Sequence, residues 1–335
     1  MLLDAALPPT PLNAVPAIAK AAEEVGFSAL WSTETIHDPF LPGALVAEYT
    51  QRLSFGTSVA IAFARSPANL AYMAWDLADL LDGRFILGLG TQVKAHIERR
   101  FGMPWPDSVV GKLREQILAV RAFWRAWQTG ESLNFRGEYY KLTLMSPFFS
   151  PGPIKHPEIP IYIAGVNKGL AHLAGELADG FLVHPLHSPR YLQQVILPVI
   201  EAGANKHART LADVSISVSA FVVTTPEESD FVRSQIAFYA STPSYRPVMA
   251  LHGWEDVARE LSKLAARRQW GDMPQLIDDE MLETFALVSP TTDLAQRLRE
   301  RYAGLADRLT VYLPFTAGER DEFWSDLVEG IGDRD

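Results

Sequence analysis

The sequence predicts an α/β fold of parallel strands joined by helices, and its pattern favours a (β/α)8 barrel. Three observations predict this. Short β-like runs alternate with longer segments of helical apolar spacing. Eight such strands can be counted. The 335 residues, 48% of them apolar, suffice for a large core, a length that suits one barrel or two ordinary domains. Periodicity counts elements without showing that the first and last strands meet, so an open doubly wound sheet is the alternative at this level.

The elements follow in order. A strand at 2–6 precedes a helix at 12–25, stopped by Gly26, and a second strand at 29–31. After a loop through Pro39 and Pro42 and a short helix at 44–49, a third strand spans 53–62 and a third helix 67–81, ended by Gly83. A fourth strand at 85–89 is followed by a long amphipathic helix at 110–128 carrying Leu113, Ile117, Val120, Phe123, Trp124 and Trp127. Residues 129–158, rich in Pro, Gly and aromatics, read as an insertion with a hairpin around 134–140. Strands at 161–164, 180–183, 214–223 and 309–313 complete the eight, with helices at 169–176, 189–202 and 290–302. The interval 226–285 is longer than one crossover needs and reads as a helical excursion with helices at 231–239, 254–267 and 274–285.

Composition narrows the function. With no cysteine, disulfide frameworks, thiolate catalysis, Cys-ligated zinc and iron–sulfur clusters are excluded. The N-terminus lacks the pattern of a secretory signal and no apolar run approaches the ~18 residues of a membrane span, so a soluble cytoplasmic protein is expected. The formal charge of −10 disfavours nucleic acid and anionic membranes and points to a small-molecule partner.

The run 53–67 (LSFGTSVAIAFARSP), followed by 80–90 (LLDGRFILGLG), 160–166 (PIYIAGV) and 178–181 (ADGF), resembles the luciferase-like monooxygenase superfamily. Segments 34–41 (ETIHDPFL), 92–96 (QVKAH), 236–243 (IAFYASTP) and 251–254 (LHGW) resemble its coenzyme F420-dependent subgroup. The resemblance implies a single bacterial-luciferase-like TIM-barrel domain over 1–335, with the cofactor at the C-terminal mouth and hydride passing between its ring and an organic substrate. It also implies a homodimer. An FMN-dependent monooxygenase using reduced flavin and dioxygen is the rival reading, and a non-catalytic cofactor-binding barrel a second.

Barrel enzymes carry reactive groups on the loops after the strands, and the candidates fall there. Glu34, His37 and Asp38 follow the second strand; the resemblance implies ring contact or proton transfer, the alternative being a hydrogen-bonded or capping loop. At Ser58-Val59 it implies a non-prolyl cis peptide bulging against the ring, where an ordinary strand is the alternative. Thr91 and Gln92 are implied to line the ring, and His96 to be a polar cofactor contact; a surface histidine is the plain reading of His96. Val93 stands where sugar-phosphate-oxidising relatives carry a general acid, which leaves Glu34, His37 and His96 as the proton-transfer candidates.

Ala164, Gly165, Val166 and Lys168 form a βα turn whose backbone N–H groups suit a phosphate, or simply a turn, and His184 is a second candidate for the phosphate side. The His184-Pro185-Leu186-His187 spacing is unlike a zinc motif, so no metal is expected. Tyr239, Tyr245, Arg246, His252 and Trp254 in the excursion have two readings, walls of the substrate pocket or, as the default for aromatics at helical spacing, core or dimer packing.

Overall fold

A computed structural model of the protein describes residues 1–332. Strand β1 (Leu2–Ala6) is followed by α1 (Val15–Val25), β2 (Ala29–Ser32), α2 (Leu41–Tyr49), β3 (Ser54–Thr57) and β4 (Ala60–Ile61). Helix α3 (Pro67–Leu80), β5 (Phe85–Gly90), α4 (Lys94–Arg99) and α5 (Val109–Thr129) come next. The 129–158 insertion carries the antiparallel pair β6 (Phe135–Arg136) and β7 (Lys141–Leu142), and the parallel strands resume with β8 (Ile161–Gly165). Then come α6 (Lys168–Leu177), β9 (Gly180–Val183), α7 (Pro189–Tyr191), α8 (Leu197–Asn205) and β10 (Ser215–Val223). The excursion holds α9 (Pro226–Ala240), α10 (Arg246–Leu251), α11 (Glu255–Ala266) and α12 (Asp279–Phe285). It leads to β11 (Ala286–Val288), α13 (Thr291–Tyr302), β12 (Arg308–Pro314) and α14 (Asp321–Ile331).

These elements form two compact units. In the N-terminal unit, residues 7–24 and 28–164, the strands pair in parallel in the order β2-β3-β5-β8, with β4 beside the end of β5. In the C-terminal unit, residues 1–6, 25–27 and 165 onward, the parallel order is β1-β12-β10-β9, with β11 along the last residues of β10. Four parallel strands in each unit, followed by helices, make the (β/α)8 TIM barrel.

Burial explains why the strands read as continuous apolar runs. Every residue of β5, β2 and β9 is buried, as expected of parallel strands covered on both faces. Helices α3 and α5 start where the sequence provides caps. Ser66 Oγ accepts the Asn69 N–H at 3.1 Å to open α3, Ser108 Oγ accepts the Gly111 N–H at 3.1 Å to open α5, and Gly130, at φ +75°, closes α5.

The structure departs from the sequence reading at identifiable points. The strand expected over 53–62 is broken into β3 and β4 at residues 58 and 59. The helix expected at 231–239 begins at Pro226, because Thr225 caps it by accepting the Glu228 N–H. The helix expected at 189–202 has a π-helical turn at 192–196 between α7 and α8. Pro198, with no N–H to donate, removes an α-helical bond at that place. Helices α10 and α14 and strand β11 have no counterpart in the sequence reading.

In the C-terminal unit β1 and β12 are joined by a buried bidentate pair. Arg308 Nε and Nη2 donate to Asp4 Oδ2 and Oδ1 at 2.8 and 2.7 Å, and the Asp4 side chain is 0% exposed. Arg308→Met leaves that carboxylate buried without its counter-charge and is expected to lower stability by about 3–5 kcal/mol in urea unfolding. Asp4→Leu added to it should recover most of the loss.

Candidate cofactor site

The break between β3 and β4 organises the candidate site in the N-terminal unit. The Thr57 hydroxyl donates to Gly88 O at 2.7 Å and accepts the Gly88 N–H at 3.0 Å, ending the regular part of β3. The next peptide, Ser58-Val59, is cis, as the resemblance implies. Ser58 N–H donates to Ser32 O at 2.7 Å and the Thr33 hydroxyl donates to Ser58 O at 3.0 Å, so both backbone polar groups of Ser58 are held from the end of β2.

The chain then rejoins β5, with Ala60 opposite Leu89 and Ile61 opposite Gly90. This places Val59 over Gly90, where a Cβ would lie 2.5 Å from Val59 Cγ2, so residue 90 must be glycine for Val59 to stay where it is. Thr91 and Gln92 leave β5 directly from this contact. Gln92 has φ +59°, and its Oε1 accepts the Val93 N–H at 2.9 Å. Ser58, Val59, Thr91 and Gln92 are thereby brought to one strand end.

Below them lies a network missed in the sequence. Glu34 Oε2 accepts the Ile61 N–H at 2.7 Å and Arg65 Nη1 at 2.6 Å, and Arg65 Nη2 donates to Asp38 Oδ2 at 2.9 Å. Asp38 Oδ1 accepts the Phe40 N–H at 2.9 Å. Burial alone would lower the Arg65 pKa; the bonds to Glu34 and Asp38 outweigh it and raise the guanidinium above its ordinary value. Gln116 of α5 donates to Ala62 O at 2.7 Å and Arg65 O at 2.9 Å, while its Oε1 is buried without a partner.

Glu34 is thus engaged with β4 and Arg65, with its side chain 7% exposed, whereas His37 and His96 are exposed. The only hint of Arg65 in the sequence was a pair of acids, Glu34 and Asp38, with no cation nearby in the chain.

Strand β8 ends at Gly165, where the C-terminal unit resumes, and α6 of that unit starts at Lys168 with Asn167 as N-cap. The Asn167 side chain does not cap the helix but donates to Ser244 O at 3.0 Å, so it leaves the first N–H groups of α6 without a side-chain acceptor. Lys168 is exposed, Ala164 half-buried, and Val166 O accepts the Tyr191 hydroxyl at 3.0 Å.

His184 Nδ1 accepts the Leu186 N–H at 3.1 Å, which places the ring proton on Nε2. Its ring stacks on Tyr245 and meets Tyr239 edge-on, both at 4.5 Å between centroids. Burial, then the neighbouring His187, pushes its pKa down to about 3. His184 can therefore meet an anion as a neutral donor and not as a cation. His187 donates from Nδ1 to His184 O at 2.9 Å and accepts the Tyr302 hydroxyl at 3.0 Å, and burial pushes it down to about 4. Gly165, Val166, His184, His187 and Tyr191 line one narrow recess.

Tyr239 and Tyr245, read from the sequence by default as packing, wall His184, and the Tyr239 hydroxyl meets that of Tyr312 at 2.7 Å. Among the described residues no three His, Asp or Glu side chains gather as a metal site, and no helix is long and apolar enough to cross a membrane.

Comparison with known proteins agrees with this fold. The profile of the luciferase-like monooxygenase family matches residues 3–308. The chain belongs to the luciferase-like monooxygenase family. It is similar to an uncharacterized protein of Mycobacterium tuberculosis, 43% identical over 313 residues and 92% of each chain. It is also similar to the F420-dependent glucose-6-phosphate dehydrogenase of Intrasporangium calvum, 26% identical over 92% of each chain. Among solved structures, the coenzyme F420-dependent tetrahydromethanopterin reductase of Methanopyrus kandleri shares the fold, with TM-score 0.79 over 98% of each chain at 18% identity.

Two outcomes are expected. Gly90→Ala pushes Val59 from its place and should lower stability by about 1–3 kcal/mol in thermal or urea unfolding. His184 and His187 have depressed pKa values in the fold, so from about pH 4 to about 6.5 the unfolded chain binds more protons than the folded one. Stability should rise with pH across that window and level off above it, and His187→Gln should flatten the rise in urea midpoints.

Proposed function

We propose that this chain is an oxidoreductase that uses coenzyme F420 to oxidise or reduce a small organic substrate. The observation carrying this reading is the Ser58-Val59 bulge held against Gly90, which presents backbone and one small apolar side chain to a planar ring. The F420-dependent relative adds support. Asp38, Ser58, Val59, Thr91, Gln92 and His96 would hold the ring side, and Ala164, Gly165, Val166, Lys168 and His184 the phosphate-bearing side.

The residues present fit such a group. A Cβ at position 90 would fill the space Val59 uses, and the start of α6 offers N–H donors beside Lys168, with no carboxylate among the residues named for this end. When bound, the deazaflavin supplies hydride transfer at ring C5. In this proposal the protein's own part is positioning. Glu34 fixes Ile61 and Arg65, Arg65 fixes Asp38, and Thr33 and Thr57 fix the bulge between them. His37 and His96, exposed and uncommitted to the Arg65 network, are proposed to move the proton at the substrate, and Glu34 to act through its neighbours as a positioning residue.

Fluorescence titration tests the cofactor. F420 should quench saturably in the micromolar range and FMN should not; micromolar FMN binding with no response to F420 would overturn the proposal. Lys168→Ala should weaken F420 roughly tenfold, the scale of one charge-assisted phosphate contact. The same variant should leave binding of the phosphate-free deazaflavin fragment unchanged.

A further inference from the structure

We propose that Lys112 recognises the carboxylate of a substrate that is an apolar organic monoanion. This deepens the function proposed above and rests on it for calling the ligand a substrate. Lys112 lies at the start of α5, on the chain leaving β5, and Phe63 lies just after β4. Both are on connections from the C-terminal ends of strands, where barrel enzymes place their chemistry.

The Lys112 ammonium stands 4.9 Å from the centroid of the Phe63 ring, which is buried and meets Trp105 edge-on at 5.9 Å. Lys112 is half-buried, and among the described residues its ammonium has neither a carboxylate partner nor a hydrogen bond. Several other partly buried cations among the described residues do have such partners. Arg65 has Glu34 and Asp38, Arg308 has Asp4, and Arg84 and Arg209 donate to backbone carbonyls.

Three features make this an uncomfortable place for an unpaired cation. Burial disfavours the ammonium and lowers its pKa. The residue sits at the positive end of the macrodipole of a 21-residue helix, with no acidic residue in the first turn to offset it. The Phe63 quadrupole attracts the ammonium but leaves its charge unneutralised.

A bound carboxylate removes all three. It neutralises the ammonium, meets the favourable end of the helix dipole, and lets its apolar body lie against the partly exposed Trp105. A single ammonium matches one negative charge, which favours a carboxylate over a phosphate ester carrying nearly two. In a chain of net charge −10 such a local positive point is also what guides an anion to its place.

The test uses F420-free protein with benzoate and its neutral isostere benzamide as probes, followed by ligand-observed NMR. Wild type should bind benzoate at least tenfold more tightly than it binds benzamide. Lys112→Met, which keeps the apolar stem, should remove that preference, leave benzamide binding unchanged, and match or exceed the wild-type Tm. The variant should also quench F420 as wild type does.

Absence of benzoate binding to wild type, equal benzoate affinity in Lys112→Met, or a lowered Tm would overturn the assignment. Loss of F420 binding in the variant would overturn it too, by placing Lys112 at the cofactor. Failure of wild type to bind F420 would instead overturn the proposed function, while the benzoate comparison would still read Lys112.

Discussion

Between Thr57 and Ile61 the backbone of the N-terminal unit leaves the strand ladder, and its polar groups there are paired by side chains and by the end of β2. Thr33 takes Ser58 O, Ser32 O takes the Ser58 N–H, and Glu34 takes the Ile61 N–H. A buried backbone group without such a partner costs as much as a lost hydrogen bond, so this geometry depends on residues 32–34. Everything else at that strand end follows: Val59 crosses Gly90, and Thr91 and Gln92 start from that contact. Arg65, bound to Glu34, orients Asp38.

The C-terminal unit solves a different problem. Its buried Asp4, Arg308, His184 and His187 are arranged to carry no free charge. Asp4 and Arg308 neutralise one another. His184 and His187 are held neutral by burial, with their tautomers fixed by the Leu186 N–H and the His184 carbonyl. This leaves the exposed Lys168 and the open N–H groups of α6 as the electropositive features beside Val166, in a chain whose net charge is negative. Lys112, in the other unit, breaks the rule of neutralised burial, which is why a ligand is assigned to it.

How much was legible beforehand depended on the range of the signal. The alternation of β and α elements and the helix stops at Gly26 and Gly83, both at positive φ, are local, and local pattern finds them. The site was visible only as short motifs: 53–67 marked the bulge and 88–92 the turn, but neither shows that Val59 rests on Gly90. Arg65 lies within 53–67, but its partners Glu34 and Asp38 are about thirty residues away in the chain, beyond the reach of local pattern. Aromatic spacing on a helix says nothing of a histidine at the end of β9, so the contacts of Tyr239 and Tyr245 with His184 are not legible in the sequence.

The central claim is that the bulge at 58–61 and the turn at 90–93 form the seat of the cofactor ring. Amide hydrogen exchange with and without F420 addresses it directly. The account predicts slowed exchange on F420 addition in peptides covering 57–62 and 90–93, together with those covering 166–170. F420-dependent protection confined to other segments, with 57–62 and 90–93 unchanged, would contradict it.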